Sequence, residues 1–409
     1  MVSPSHDRIL TNASWLATCP ADGEAEDLGL FIDAALAWQG ERICWVGPAS
    51  EMPTDYAHWE RIDARGAGVI PGLIDCHTHL AFGGWRAEEF AARCRGAAYE
   101  EIAALGGGIA STVTATRAAS EDELYERSLG FLREMIALGV TAVECKSGYG
   151  LTVDEELKML RVYRRLAATL PVSIRPTFLG AHAVPPEFQD NREGYVRLIC
   201  DEMIPRVAQL GPHFCDAFVE TGAFTPAEAR RVFEAAREHN MPRTLHADQL
   251  SDGGGAALAA EVQSTSAAHL EFASDAGLAA MARAGTVAVL LPFAALTTHV
   301  PPLDARRCLK LGLRVAVATN FNPGSAPSYH LPFALWLACC VHRLTPAQAL
   351  RGATINAARA ICMSDQIGSL QVGKQADFVL LDAESVDHWL YHVRANAARA
   401  VYVRGEHRV

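Results

Sequence analysis

The chain has 409 residues, half of them apolar and a fifth charged, with a net charge of −11. That length holds one large domain and a smaller one, in the composition of an ordinary globular protein. The acidic balance leaves no footprint for nucleic acid, no apolar run reaches the ~18–20 residues of a membrane span, and no basic-then-apolar leader is visible, so a cytoplasmic protein is expected.

In chain order, residues 30–38 and 41–47 read as short strands, and 373–382 and 398–406 do the same near the other end. A small β-sandwich-like domain built from both termini, 1–68 plus 369–409, is therefore expected. Between them, 69–368 alternates apolar strand-like runs with amphipathic stretches. The strands are read at 69–75, 141–145, 174–178, 217–220, 243–246, 264–269, 287–291 and 315–318, and helices at 121–138, 153–168, 225–240 and 275–284. Eight strands alternating with helices over that length predict an α/β fold of the (β/α)8 TIM-barrel type. An open doubly wound sheet is the alternative; the strand count and the placing of polar residues favour the barrel.

The first of these strands runs into Asp75-Cys-His77-Thr-His79. Residues two apart on a strand share a face, so His77 and His79 project together and could share one metal ion. The pair alone does not decide this. The bend at Pro71-Gly72, the buried character of the run and the glycine-bearing loop Ala81-Phe-Gly-Gly-Trp-Arg86 do. Other strand ends carry Glu144 and Lys146, His182, Glu220, His246, His269 and Asn320, and a TIM barrel builds its active site from those ends.

His246 would supply a third imidazole and leave one position open for water; a satisfied core histidine is the bland alternative. His269 suits the orientation of that water and proton transfer. Asn320 stands where water activation calls for a carboxylate, and an amide is no base. Arg86 and Tyr149 suit a carboxylate-bearing small molecule. The glycines 106–108 are not followed by Lys-Ser/Thr, which disfavours a phosphate loop. Eleven scattered cysteines without Cys-x-x-Cys read as free thiols in a reducing compartment.

The stretch Pro71-Gly-Leu-Ile-Asp-Cys-His-Thr-His79 resembles the opening metal motif of the amidohydrolase superfamily. With His77-Thr-His-Leu-Ala-Phe-Gly-Gly-Trp-Arg86, residues 106–117, Lys146-Ser-Gly-Tyr-Gly-Leu151, residues 177–185, His246-Ala-Asp-Gln249 and Asn322-Pro-Gly-Ser325, the chain more narrowly resembles the imidazolonepropionase family. The resemblance implies hydrolysis of 4-imidazolone-5-propanoate to N-formimidoyl-L-glutamate in histidine degradation, with one zinc or iron ion. It places His77, His79 and His246 as metal ligands and puts Asn320 where the family has a metal-binding aspartate. Arg86, Tyr149, His182, Gln249, Asn322, Gly324 and Ser325 match substrate-contacting positions. The mechanism expected from these residues has His269, with a carboxylate at position 320 when present, remove the water's proton, and His182 donate to the developing oxyanion. A homodimer is compatible with the family. Only four lysines occur and none lies near 217–220, which agrees with one metal, since two-metal relatives often use a carboxylated lysine there.

Two departures stand out: Asn320 for aspartate, and Ala268 before His269 where the family usually has aspartate. They keep two rivals open at this point, a catalytically silent ligand-binding homologue and a deaminase-like amidohydrolase acting on another small ring.

Overall fold

The computed structural model describes residues 7–96 and 107–409. Gly106, first of the glycine triplet, lies outside the described residues.

Five strands come first: β1 (Asp7–Ala17), β2 (Leu30–Gln39), β3 (Arg42–Pro48), β4 (Glu60–Asp63) and β5 (Gly68–Pro71). The parallel strands follow: β6 (Leu73–Thr78), β7 (Val140–Lys146), β8 (Ser173–Ala181), β9 (Phe214–Val219), β10 (Arg243–Ala247), β11 (Ser266–His269), β12 (Val287–Leu290) and β13 (Val315–Val317). The chain then returns to the first sheet with β14 (Phe378–Leu381), β15 (Ala398–Val403) and β16 (Glu406–His407).

β1 is the hub of that terminal sheet. One edge pairs antiparallel with β2; the other pairs in parallel with β4 at Arg8–Thr11 and with β5 at Trp15–Leu16. A bulge between Leu10 and Ala13, with Asn12 at φ +59°, lets one strand serve two partners on the same side. Trp38 packs edge-on against Phe378 and Tyr402 at 5.2 and 5.9 Å, so side chains from the two ends of the sequence share one core.

The eight strands β6 to β13 lie in sequence order, each parallel to the next. The circle closes at its carboxyl end: the Asn320 amide donates to the His77 carbonyl at 3.0 Å and the His79 amide to the Phe321 carbonyl at 2.8 Å. The seam of the barrel thus brings three candidate site residues together by backbone bonds alone. This is the predicted TIM barrel with a terminal sheet.

The run 69–75, read as one strand, is two. Gly68–Pro71 pairs with β1 and β14 in the terminal sheet, and Leu73–Thr78 begins the barrel. Gly72 makes the crossing possible, because a Cβ there would lie 2.2 Å from Thr141 Oγ1. Both strands are buried along their whole length, so the apolar run carries no period to mark the crossing. Helix starts are better encoded. Ser120 with Glu123 and Thr225 with Glu228 form capping boxes that open the helices Glu121–Ala137 and Pro226–Glu238.

Candidate active site

His77 lies one residue before the end of β6, His79 just beyond that end, and His246 on β10; all three are buried, and each places a ring nitrogen within 4.8 Å of the others. His79 Nε2 and His246 Nε2 are 3.2 Å apart, against about 3.3 Å for two nitrogens sharing one tetrahedral ion at 2.0–2.1 Å. His246 Nδ1 faces Asp216 Oδ1 at 3.1 Å, so the proton sits on Nδ1 and Nε2 keeps its lone pair. Burial holds His77 and His79 well below the ordinary imidazole range and His246 down to about 4, which is the neutral form a metal requires.

His77 Nε2, His79 Nδ1, His269 Nδ1 and Asn320 Oδ1 are buried and have no hydrogen-bond partner among the described residues. Buried polar atoms are seldom left so. Their concentration around three neutral imidazoles is what a divalent ion and its ligands would satisfy, and the donor set fits one.

Behind the histidines lies a buried charge cluster. Lys146 Nζ on β7 donates to Glu144 Oε1 at 2.8 Å and to Asp216 Oδ2 at 2.7 Å. Burial alone would raise the Asp216 carboxyl, yet Lys146 and His246 hold it far below the usual range. Glu144 is pushed up by burial to about 7 despite the lysine and the hydroxyl of Thr177. Asp216 is therefore the firmer anion, and it both orients His246 and neutralises Lys146.

On the opposite side of His79 lies His182, stacked at 5.1 Å with 19° between the rings, with Tyr149 5.3 Å away. His182 Nδ1 lies 2.9 Å from the Gly148 carbonyl, which can only accept, so Nδ1 carries the proton. Burial lowers this ring to about 3. In this tautomer the neutral ring presents Nε2 as an acceptor. Burial also raises the Tyr149 phenol, so it stays a neutral donor.

His269 ends β11 at φ +74°, its ring centroid 5.7 Å from that of His246 and 6.2 Å from that of His77. Ala268 pairs in register with His246 and lies in the apolar cluster with Val289 and Ala316. The carboxylate nearest the His269 ring belongs to Glu271, whose Oε2 is 3.7 Å from Nδ1.

Arg86 binds Glu89 through Nε at 2.8 Å. Its guanidinium packs so tightly on the last loop that a Cβ at Gly324 would lie 2.2 Å from Nη1. Asn322 folds that loop: its Oδ1 accepts from the Gly324 and Ser325 amides, both at 2.8 Å, and its Nδ2 donates to the Asn320 carbonyl at 2.7 Å. Gln249 is half-buried just beyond β10.

Residues 69–407 match the amidohydrolase family. An imidazolonepropionase from Symbiobacterium thermophilum is 48% identical over 98% of this chain and 96% of its own length, and one from Methylobacterium nodulans is 50% identical over 98% and 99%. The chain belongs to the imidazolonepropionase family of amidohydrolases. The fold agrees: an atrazine chlorohydrolase from Arthrobacter aurescens, crystallised with zinc, superposes with a TM-score of 0.74 at 17% identity over 98% of this chain and 94% of that one. The superfamily is metal-dependent, in keeping with the three-histidine cluster. No helix among the described residues is long and apolar enough to cross a membrane.

Glu156, Asp216 and Asp248, acids that hold this amidohydrolase site in place, carry no signal that marks them in the sequence. Glu156, on the helix Val153–Thr169, accepts from the amides of Gly148, Gly150 and Leu151 and so shapes the loop that carries Tyr149. Glu220, placed at a strand end from the sequence, accepts from the amides of Thr221 and Leu250 at 2.8 and 2.7 Å. Asp248 accepts from Gly253, Gly255 and Ala256. Glu156 thus folds the loop after β7, and Glu220 with Asp248 the loop after β10. Replacing Glu156 with alanine leaves three amides without an acceptor; we expect a loss of about 3 kcal/mol or more by urea unfolding, with KM rising as Tyr149 is released.

Proposed function

We propose that this chain opens the ring of 4-imidazolone-5-propanoate by hydrolysis, giving N-formimidoyl-L-glutamate, with one zinc or iron ion held by His77, His79 and His246. The convergence of three buried, neutral imidazoles, each with a ring nitrogen within 4.8 Å of the others, at the barrel mouth carries this reading. When bound, such an ion polarises a carbonyl and lowers the pKa of water towards about 7.

The chain's own residues do the rest. Arg86, with Nε anchored on Glu89, turns its remaining donors to the propionate carboxylate. Tyr149 donates from its phenol, and His182 Nε2 accepts from a ring N–H of the substrate. Gln249 and the loop of Asn322, Gly324 and Ser325 close around the remaining edge. His269 takes the proton of the attacking water and returns it to the departing ring nitrogen. Asn320 adds an amide oxygen but no base, so turnover runs below what an aspartate would support.

The specificity is tested by the product. Incubation with 4-imidazolone-5-propanoate should yield an open-chain dicarboxylate with no ammonia in the first step. Ammonia release from an intact ring would instead point to a deaminase, and binding without turnover to a silent homologue. Gly324→Ala tests the carboxylate site: the new methyl displaces Arg86 and should raise KM about tenfold or more while kcat changes little. An unchanged KM would remove Arg86 from substrate binding.

A further inference from the structure

At the end of the barrel opposite the histidines, the loop containing Ala21, Asp22 and Gly23 lies against the start of β13 and encloses a cleft of about 310 Å³. Three guanidiniums line it: Arg314, immediately before β13, Arg351 on the helix Pro346–Gly352 and Arg359 on the helix Ile355–Ala360. Arg351 donates to the carbonyls of Asp27 and, at 3.0 Å, Gly23; Arg359 donates to the Ala21 carbonyl and, at 3.1 Å, to Asn356 Oδ1. These acceptors are all neutral.

None of the three arginines has a carboxylate within ion-pair distance among the described residues, whereas Arg192 and Arg230 elsewhere are paired with Glu228 and Glu261. Asp22 lies in the lining and the Asp27 carboxylate, which accepts from the Gly29 amide at 2.9 Å, just beyond it; both favour the charged form of Arg351 without forming an ion pair with it. Arg351 is 2% exposed, and its buried Nε has no partner. Arg359 is pushed below its ordinary range by burial and then by the charges of Arg314 and Arg351. Three like charges, two of them partly desolvated, are thus held close together in a chain whose net charge is −11.

We propose that this cleft binds a small, doubly charged oxyanion, phosphate or a short dicarboxylate, between Arg314, Arg351 and Arg359. A guanidinium presents paired donors matched to carboxylate and phosphate oxygens. The carbonyl anchors already fix two of the three, so little side-chain freedom is lost on binding. The repulsion that Arg314 and Arg351 exert on Arg359 is relieved by the ligand. The site stands apart from the catalytic reading, since β13 separates it from Asn320.

The test is calorimetric titration of the full-length protein with inorganic phosphate and, separately, with glutarate, against sodium chloride at matched ionic strength. The same titrations are made on Arg314→Gln and Arg359→Gln. Arg314 is exposed and has no side-chain partner to lose among the described residues, so its variant should fold and keep its turnover. We expect saturable one-to-one binding that weakens about tenfold or more in either variant, one charge-assisted contact being lost. Phosphate alone or glutarate alone giving that pattern assigns the ligand class and supports the site. Heats no larger than those of the salt control, or binding unchanged in Arg314→Gln, would overturn it.

Discussion

A chain carrying aspartate at position 320 should turn over 4-imidazolone-5-propanoate about 10²–10⁴-fold faster than the chain as it stands, the range that a positioned general base contributes. The backbone is already built for the change. The Asn320 amide donates to the His77 carbonyl at 3.0 Å and its carbonyl accepts from Asn322 at 2.7 Å, so neither anchor depends on the side chain. The φ of +56° suits aspartate as it does asparagine. What changes is Oδ1, now buried without a partner, which becomes part of a carboxylate able to hold the ion and accept a proton. Steady-state rates at saturating metal are the measurement. Equal rates would mean that His269 alone carries the proton and that position 320 has no part in the chemistry.

Removing the Asp216 carboxylate should cost more than removing any other group outside the three histidines. Asp216→Ala frees the His246 ring to rotate and leaves Lys146 with Glu144 alone, in a fully buried place. Breaking a buried ion pair from one side costs about 3–5 kcal/mol, and losing the partner that orients a ligand histidine weakens metal binding about 10–100-fold. Chemical unfolding and competition with a chromophoric chelator measure the two separately. Asp216→Asn keeps an oxygen for His246 Nδ1 and should recover part of the metal affinity but little of the stability. Unchanged metal affinity in both variants would leave Asp216 a purely structural counter-ion.

The barrel was legible because each chemistry-bearing residue follows an apolar run, and the seam then brings His77, His79 and Asn320 to one place by strand pairing. The crossing at Gly72 was not, because β5 and β6 are buried on every side and their sequence does not alternate. Asp216 was harder still. It sits within a strand, where a polar residue reads as an interruption until the barrel is closed and shown to have an inside. Asp216 lies thirty residues before His246 and reaches it only because β9 and β10 are adjacent and parallel. Glu156 lies on a helix that periodicity marks as amphipathic, with nothing to say that its carboxylate caps the preceding loop. The tautomer of His182 is hidden for a related reason, since the carbonyl of Gly148 that accepts from its Nδ1 has no signature in sequence.

Metal content and ring opening, followed together in one preparation, test the central claim most directly. The protein should carry one equivalent of zinc or iron, lose ring opening in step with metal removal by a chelator, regain both when the ion is restored, and show neither metal nor activity as His246→Ala. Full turnover by metal-free protein, or a His246→Ala protein that keeps its ion and its rate, would contradict it.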